Sequence, residues 1–141
     1  MAQTTPSLRL TYEGAAAILT AAVAKASDMR VPQCITVVDS GGQLITMARM
    51  DGAFALSIDT ALRKAQTAAC YGAPTGHIAE GVDIKLAIAT EGKRINLPGG
   101  LPIIVDGHLI GGIGVGSGSG AQDLEVAKVG IAALASVQSF D

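Results

Sequence analysis

Lys64 lies within the run LSIDTALRKAQTAACYG, residues 56–72. At about 100° per residue that run sorts into three helical faces rather than two. Ile58, Ala61, Leu62, Ala65, Ala68, Ala69 and Gly72 share an apolar face, while Asp59, Arg63, Gln66 and Cys70 turn toward water. Between them runs a third stripe of Ser57, Thr60, Lys64, Thr67 and Tyr71. Water is already served by the second face, so a stripe of hydroxyls around one lysine reads as half-buried against a ligand or another subunit. A helix with a broad polar surface is the plainer alternative. A lysine so placed can lower its pKa and move protons, which an arginine does not readily do.

Arg49 closes an apolar strand near Asp51 and offers either bidentate carboxylate recognition or a structural ion pair. Were Arg49 and Lys64 to meet, an anion must separate them, either Asp51 or a ligand carboxylate. His77 follows Pro74 and reads as a pocket rim or as surface; His108 follows Asp106-Gly107 and reads as an exposed turn tip. The glycines of residues 111–120 form neither a dinucleotide fingerprint nor a P-loop. Gly116, Gly118 and Gly120 either present free N–H groups to a carboxylate or phosphate ahead of a helix, or permit close packing. Asp123 and Glu125 complement the dipole of that helix and need no catalytic role. The candidate catalytic residues are thus Lys64, Asp51 and His77. The candidate ligand-binding residues are Arg49, Ser57, Thr60, Thr67, Gly116, Gly118 and Gly120. On this reading Lys64→Met removes charge without loss of fold.

The elements that must position these groups are legible in order. Thr11 caps a helix from Tyr12 to about Asp28, which Pro32 forbids from continuing. Residues 34–39 and 43–50 flank Ser40-Gly41-Gly42 and predict a hairpin; the helix from Ser57 stops at Gly72 and Pro74. Two short helices are expected over residues 75–80 and 82–90, then a loop through Pro98-Gly99-Gly100. Residues 101–105 and 108–115 flank the Asp106-Gly107 turn as a second hairpin, and a last helix runs from Ala121 to about Ser136 with Leu124, Ala127, Ile131 and Leu134 inward. Two hairpins and helices without strict alternation predict an α+β fold, an antiparallel sheet flanked by helices.

The 141 residues suit one domain, 1–141, and 49% hydrophobic content suffices for one core. A net charge of −2 and 3% aromatic residues exclude nucleic-acid binding. No run is long enough to span a membrane and no signal peptide opens the chain, so a soluble cytoplasmic protein is expected. Cys34 and Cys70 stand apart, read as buried free thiols, and no metal site is expected. Eighteen glycines, 16% charge and a mean hydropathy of +0.44 predict a homo-oligomer that hides low-charge surface.

Val38-Asp39-Ser40-Gly41-Gly42, Arg49-Met50-Asp51-Gly52-Ala53, Lys64-Ala65-Gln66-Thr67-Ala68, Pro98-Gly99-Gly100-Leu101-Pro102-Ile103 and residues 111–115 together resemble the GlcG/HbpS family over nearly the whole chain. The resemblance implies an antiparallel sheet flanked by helices, tetramers or octamers, and similarity to haem-binding proteins, to the C-terminal domain of a corrinoid adenosyltransferase and to accessory proteins of catabolism. It carries over no haem ligand residue by residue. Residues 115–120, Val-Gly-Ser-Gly-Ser-Gly, depart from the family's Val-Ser-Gly-Gly. Two readings stand: an oligomeric protein binding haem or a small carboxylated metabolite, or a cofactor-free isomerase, lyase or hydratase acting on a small carboxylated substrate.

Overall fold

The computed structural model describes residues 1–141. The chain runs α1 (Tyr12–Met29), β1 (Cys34–Asp39), β2 (Leu44–Arg49), α2 (Leu56–Tyr71), α3 (Val82–Ala89), β3 (Gly100–Val105), β4 (His108–Gly116) and α4 (Gly120–Ile131). The Thr11 hydroxyl accepts from the Gly14 N–H at 3.0 Å to start α1, and Gly72 in the left-handed region ends α2. Asp106 and Gly107 take φ values of 50° and 79°, the pair of positive angles that a two-residue turn between right-twisted strands requires.

The hairpins join through β1 and β4 into one antiparallel sheet ordered β2-β1-β4-β3, giving an α+β fold. Pro102 is tolerated because β3 is an edge strand, where a missing N–H leaves no partner unsatisfied. Strand alternation sends Ile35, Val37, Ile113 and Val115 to one face, where Ile18 and Ala22 of α1 and Val126 and Ile131 of α4 complete the main core. Each of these buried Ile and Val side chains contributes roughly 1.5–3 kcal/mol. On the opposite face α2 lies across β1, β4 and β3, with Val38, Ala65 and Ala69 in a second, smaller cluster.

That second contact is unusually close. Gly112 and Gly114 of β4 face α2, and a Cβ at either would overlap a helix carbonyl oxygen, of Ala65 or Ala61 respectively. The glycine run therefore serves packing along β4. Because α2 touches the sheet through Ala61, Ala65 and Ala68, Lys64 and Thr67 rotate inward, while Ile58, expected on the apolar face, is 36% exposed.

Four further expectations are corrected. Residues 75–80 form turns and bends instead of a helix, because Thr75 and Ile78 hydrogen-bond to the distant Gly100 and Asn96. The last helix ends at Ile131, since the chain then turns to seat Leu134 on the core and to bridge Val137 to Val105, covering the β3 edge. Cys70 is exposed, with the Arg94 Nε donating to its Sγ at 2.8 Å; Cys34 alone is buried. His108 is half-buried rather than an exposed tip. No helix is long and apolar enough to cross a membrane.

Candidate functional site

Lys64 points into the protein. Its Nζ donates to the Val115 carbonyl at 2.7 Å and to Asp123 Oδ2 at 3.0 Å, with side-chain exposures of 6% and 4% for the ion pair. The other carboxylate oxygen, Asp123 Oδ1, accepts from Gln33 Nε2 at 2.8 Å and from the Gly118 N–H at 2.9 Å. Burial pushes the Asp123 carboxyl above the usual carboxylate range, and the Lys64 ammonium and the Gly118 N–H partly offset that push. Gln33 Oε1 is left without a partner.

The anion beside Lys64 is therefore Asp123. Arg49 is exposed on the outer strand opposite Cys34, where its charge partly offsets the upward push of burial on that thiol, and it is in neither ion pair of the chain. Asp51 is exposed in the turn after β2, away from the buried pair. The signal that could have found Asp123 is helical spacing: it shares the buried stripe of α4 with Val126, Ala127 and Gly130 at spacings of three and four. A carboxylate on an apolar face demands a cation, and the stripe of α2 holds one.

The remaining stripe residues divide between two places. At the first, the Ser57 hydroxyl accepts from Ser117 Oγ at 2.7 Å, Ser117 Oγ accepts from the Phe54 N–H at 3.1 Å, and Gly116 packs against Thr60 and Ser57. This tie pins the start of α2, which has no side-chain cap, to the segment that follows β4. Gly118 serves Asp123, and Gly120 opens α4 against Pro98 after a Ser119–Gln122 capping box. The second place is a cleft of about 330 Å³ at the C-terminal end of α2, lined by Thr67, Tyr71, residues 73–75, His77, Ile78, Ala79 and Val82.

Both cleft threonines are already engaged. Thr67 Oγ1 donates to the Arg63 carbonyl at 2.7 Å and accepts from the Ile95 N–H at 3.0 Å. Thr75 Oγ1 donates to the Leu97 carbonyl and accepts from the Gly100 N–H at 2.9 Å. The polar side-chain groups left to a ligand are the Tyr71 hydroxyl and the His77 imidazole, set among apolar walls with no charged side chain in the lining. Lys64, Asp51 and His77 thus occupy three separate settings, and only His77 lines the cleft. The sequence reading missed Asp123, Gln33 and Thr75.

A four-stranded antiparallel sheet with helices on both faces and a ligand-sized cleft beside one of them defines a small α+β domain. Residues 10–132 match the family described as haem degrading protein HbpS-like, and the chain belongs to that family. It is 35% identical over 127 residues to a 15.0 kDa protein from the dhaT-dhaS intergenic region of Citrobacter freundii, covering 86% of this chain and 89% of that one. It is 31% identical over 134 residues to the corrinoid adenosyltransferase PduO of the same organism, covering 92% of this chain but only 40% of PduO. The solved structure of a PduOC–haem complex superposes with a TM-score of 0.86 at 30% identity, covering 95% of this chain and 100% of that one.

Proposed function

We propose that this chain is an oligomeric binding protein for haem, held in the cleft between the end of α2 and the start of α3. The observation that carries the reading is the cleft itself. Its volume of about 330 Å³ falls in the range of small-molecule sites, and its walls are largely apolar with two polar groups in reach. The likeness to PduOC, which was solved with haem, supports the choice of ligand. Bound there, haem would meet the apolar walls, with the Tyr71 hydroxyl and the His77 imidazole as its polar contacts. The same lining lacks a cation to neutralise a small carboxylated metabolite, which favours recognition by ring face over recognition by carboxylate. Titrating haemin into the purified protein is expected to give a Soret band that saturates at one haem per chain. Absorbance that grows linearly past one equivalent, as for free haemin, would overturn the reading.

The oligomer follows from what the fold leaves bare. Phe54 and Leu56 before and at the start of α2 are 67% and 73% exposed, and Ile84 and Ile88 of α3 are 63% and 74% exposed. An apolar helix with no buried residue, as α3 is, needs a cover. A second copy of the chain supplies it, in a tetramer or octamer acting in the cytoplasm with residues 1–141 as one unit. Light scattering at micromolar protein is expected to report a multiple of the 14.1 kDa chain mass; a monomer would contradict this part of the proposal.

A further inference from the structure

We infer that His77 is the axial iron ligand of the bound haem and that Asn96 is the residue that positions it; this rests on the haem reading above. Of the chain's two imidazoles, His77 lines the cleft and His108 does not. No cysteine or methionine lines it either, and both threonine hydroxyls are spent on backbone groups. Between the two groups that remain, an imidazole nitrogen binds haem iron directly through its lone pair, whereas a phenol must first give up its proton to serve as a ligand.

The backbone around His77 is held on both sides although its side chain is exposed. On the N-terminal side the Thr75 N–H donates to the Gly100 carbonyl at 3.0 Å, and Gly76 lies against Pro98. On the C-terminal side the Asn96 side chain grips both backbone groups of Ile78: its Oδ1 accepts from the Ile78 N–H and its Nδ2 donates to the Ile78 carbonyl, each at 2.9 Å. Asn96 Nδ2 also reaches Asp83 Oδ2 at 3.3 Å, which ties the clamp to the first turn of α3. A segment without helix or strand is thus fixed at residues 75 and 78, and the side chain it carries toward the cleft at position 77 is free to bind. Pre-set geometry of this kind is what a metal ligand needs from the residues behind it.

The test uses haemin and metal-free protoporphyrin IX on the full chain. Haemin on the wild-type protein is expected to show a histidine-ligated Soret band. In His77→Ala that band should shift to the unligated form and haemin affinity fall about tenfold or more. Millimolar imidazole should restore the band, and the melting temperature should stay unchanged. His108→Ala should match wild type. Metal-free protoporphyrin, which has no iron to ligate, should bind wild type and His77→Ala alike. Asn96→Ala should weaken haemin binding and broaden the band without abolishing either. Saturable haemin uptake with the same Soret band in wild type and His77→Ala would overturn this inference while leaving the cleft reading intact. No saturable uptake by wild type would overturn both.

Discussion

Lys64→Met is expected to lower folding stability by about 3–5 kcal/mol, the usual cost of removing one partner from a buried ion pair. The substitution keeps most of the aliphatic stem, so little packing is lost. What it leaves is the Asp123 carboxylate, 3% exposed, with only the Gln33 amide and the Gly118 N–H as donors, and a Val115 carbonyl stripped of its ammonium. The carboxyl must then stay ionised without a counter-charge or take up a proton, and either cost falls on the folded state. Against a typical total of about 5–15 kcal/mol the loss is a large fraction. The urea midpoint measures it. Asp123→Leu made together with Lys64→Met should recover part of the loss, since no uncompensated charge then remains buried. An unchanged midpoint for Lys64→Met would show that the pair does not join α2 to α4. The same geometry reverses the expectation that this lysine can be neutralised without cost to the fold.

Gly114→Ala is expected to cost about 3 kcal/mol or more, at the upper end of overpacking effects. The new methyl would overlap the Ala61 carbonyl oxygen and stand 2.5 Å from the Ala65 nitrogen, both backbone atoms that no side-chain rotation can move aside. Relief requires α2 to lift from the sheet, which would also pull Lys64 from Asp123. Gly81→Ala is the control: nothing lies within 4 Å of its Cβ, but its φ is +87°, so only backbone strain of about 1 kcal/mol is expected. Calorimetry should show a melting temperature lower by about 10 °C for Gly114→Ala and a clearly smaller drop for Gly81→Ala. Equal drops would mean that close helix–sheet approach is not what Gly114 provides.

The reach of sequence reasoning follows the range of the interactions involved. Both hairpins, Thr11 as a cap, Gly72 as a stop and the Asp106-Gly107 turn rest on forces acting within a few residues, and all are present in the structure. The family, too, was legible, because its five motifs fall at turns, on α2 and along β3 and β4, where tight turns and close packing restrict residue choice. The segment at residues 75–80 was misread as helical, because Gly100, Leu97 and Asn96, about twenty residues on, take its hydrogen bonds. The last helix was read too long for a similar reason: residues beyond Ile131 gain more by covering the core and the β3 edge than by continuing to wind.

The sequence by itself determined that Lys64 stands on a polar stripe between two other faces of one helix, since helical period alone sets that. Which anion meets it was a tertiary decision. Arg49 and Asp51 are near in sequence but end on an outer strand and its turn, while Asp123, separated from Lys64 by 59 positions, is brought 3.0 Å away because β4 passes beneath α2 and delivers α4 directly after it. A buried charge accepts whatever partner the packing delivers, and packing is set by the contact of whole faces, which no local window of residues contains. His77 shows the same division. In the sequence Pro74 marks only the end of α2 and residues 75–80 read as helix; it is the grip of Asn96 and Thr75 on its two sides that holds the segment carrying the imidazole at a cleft.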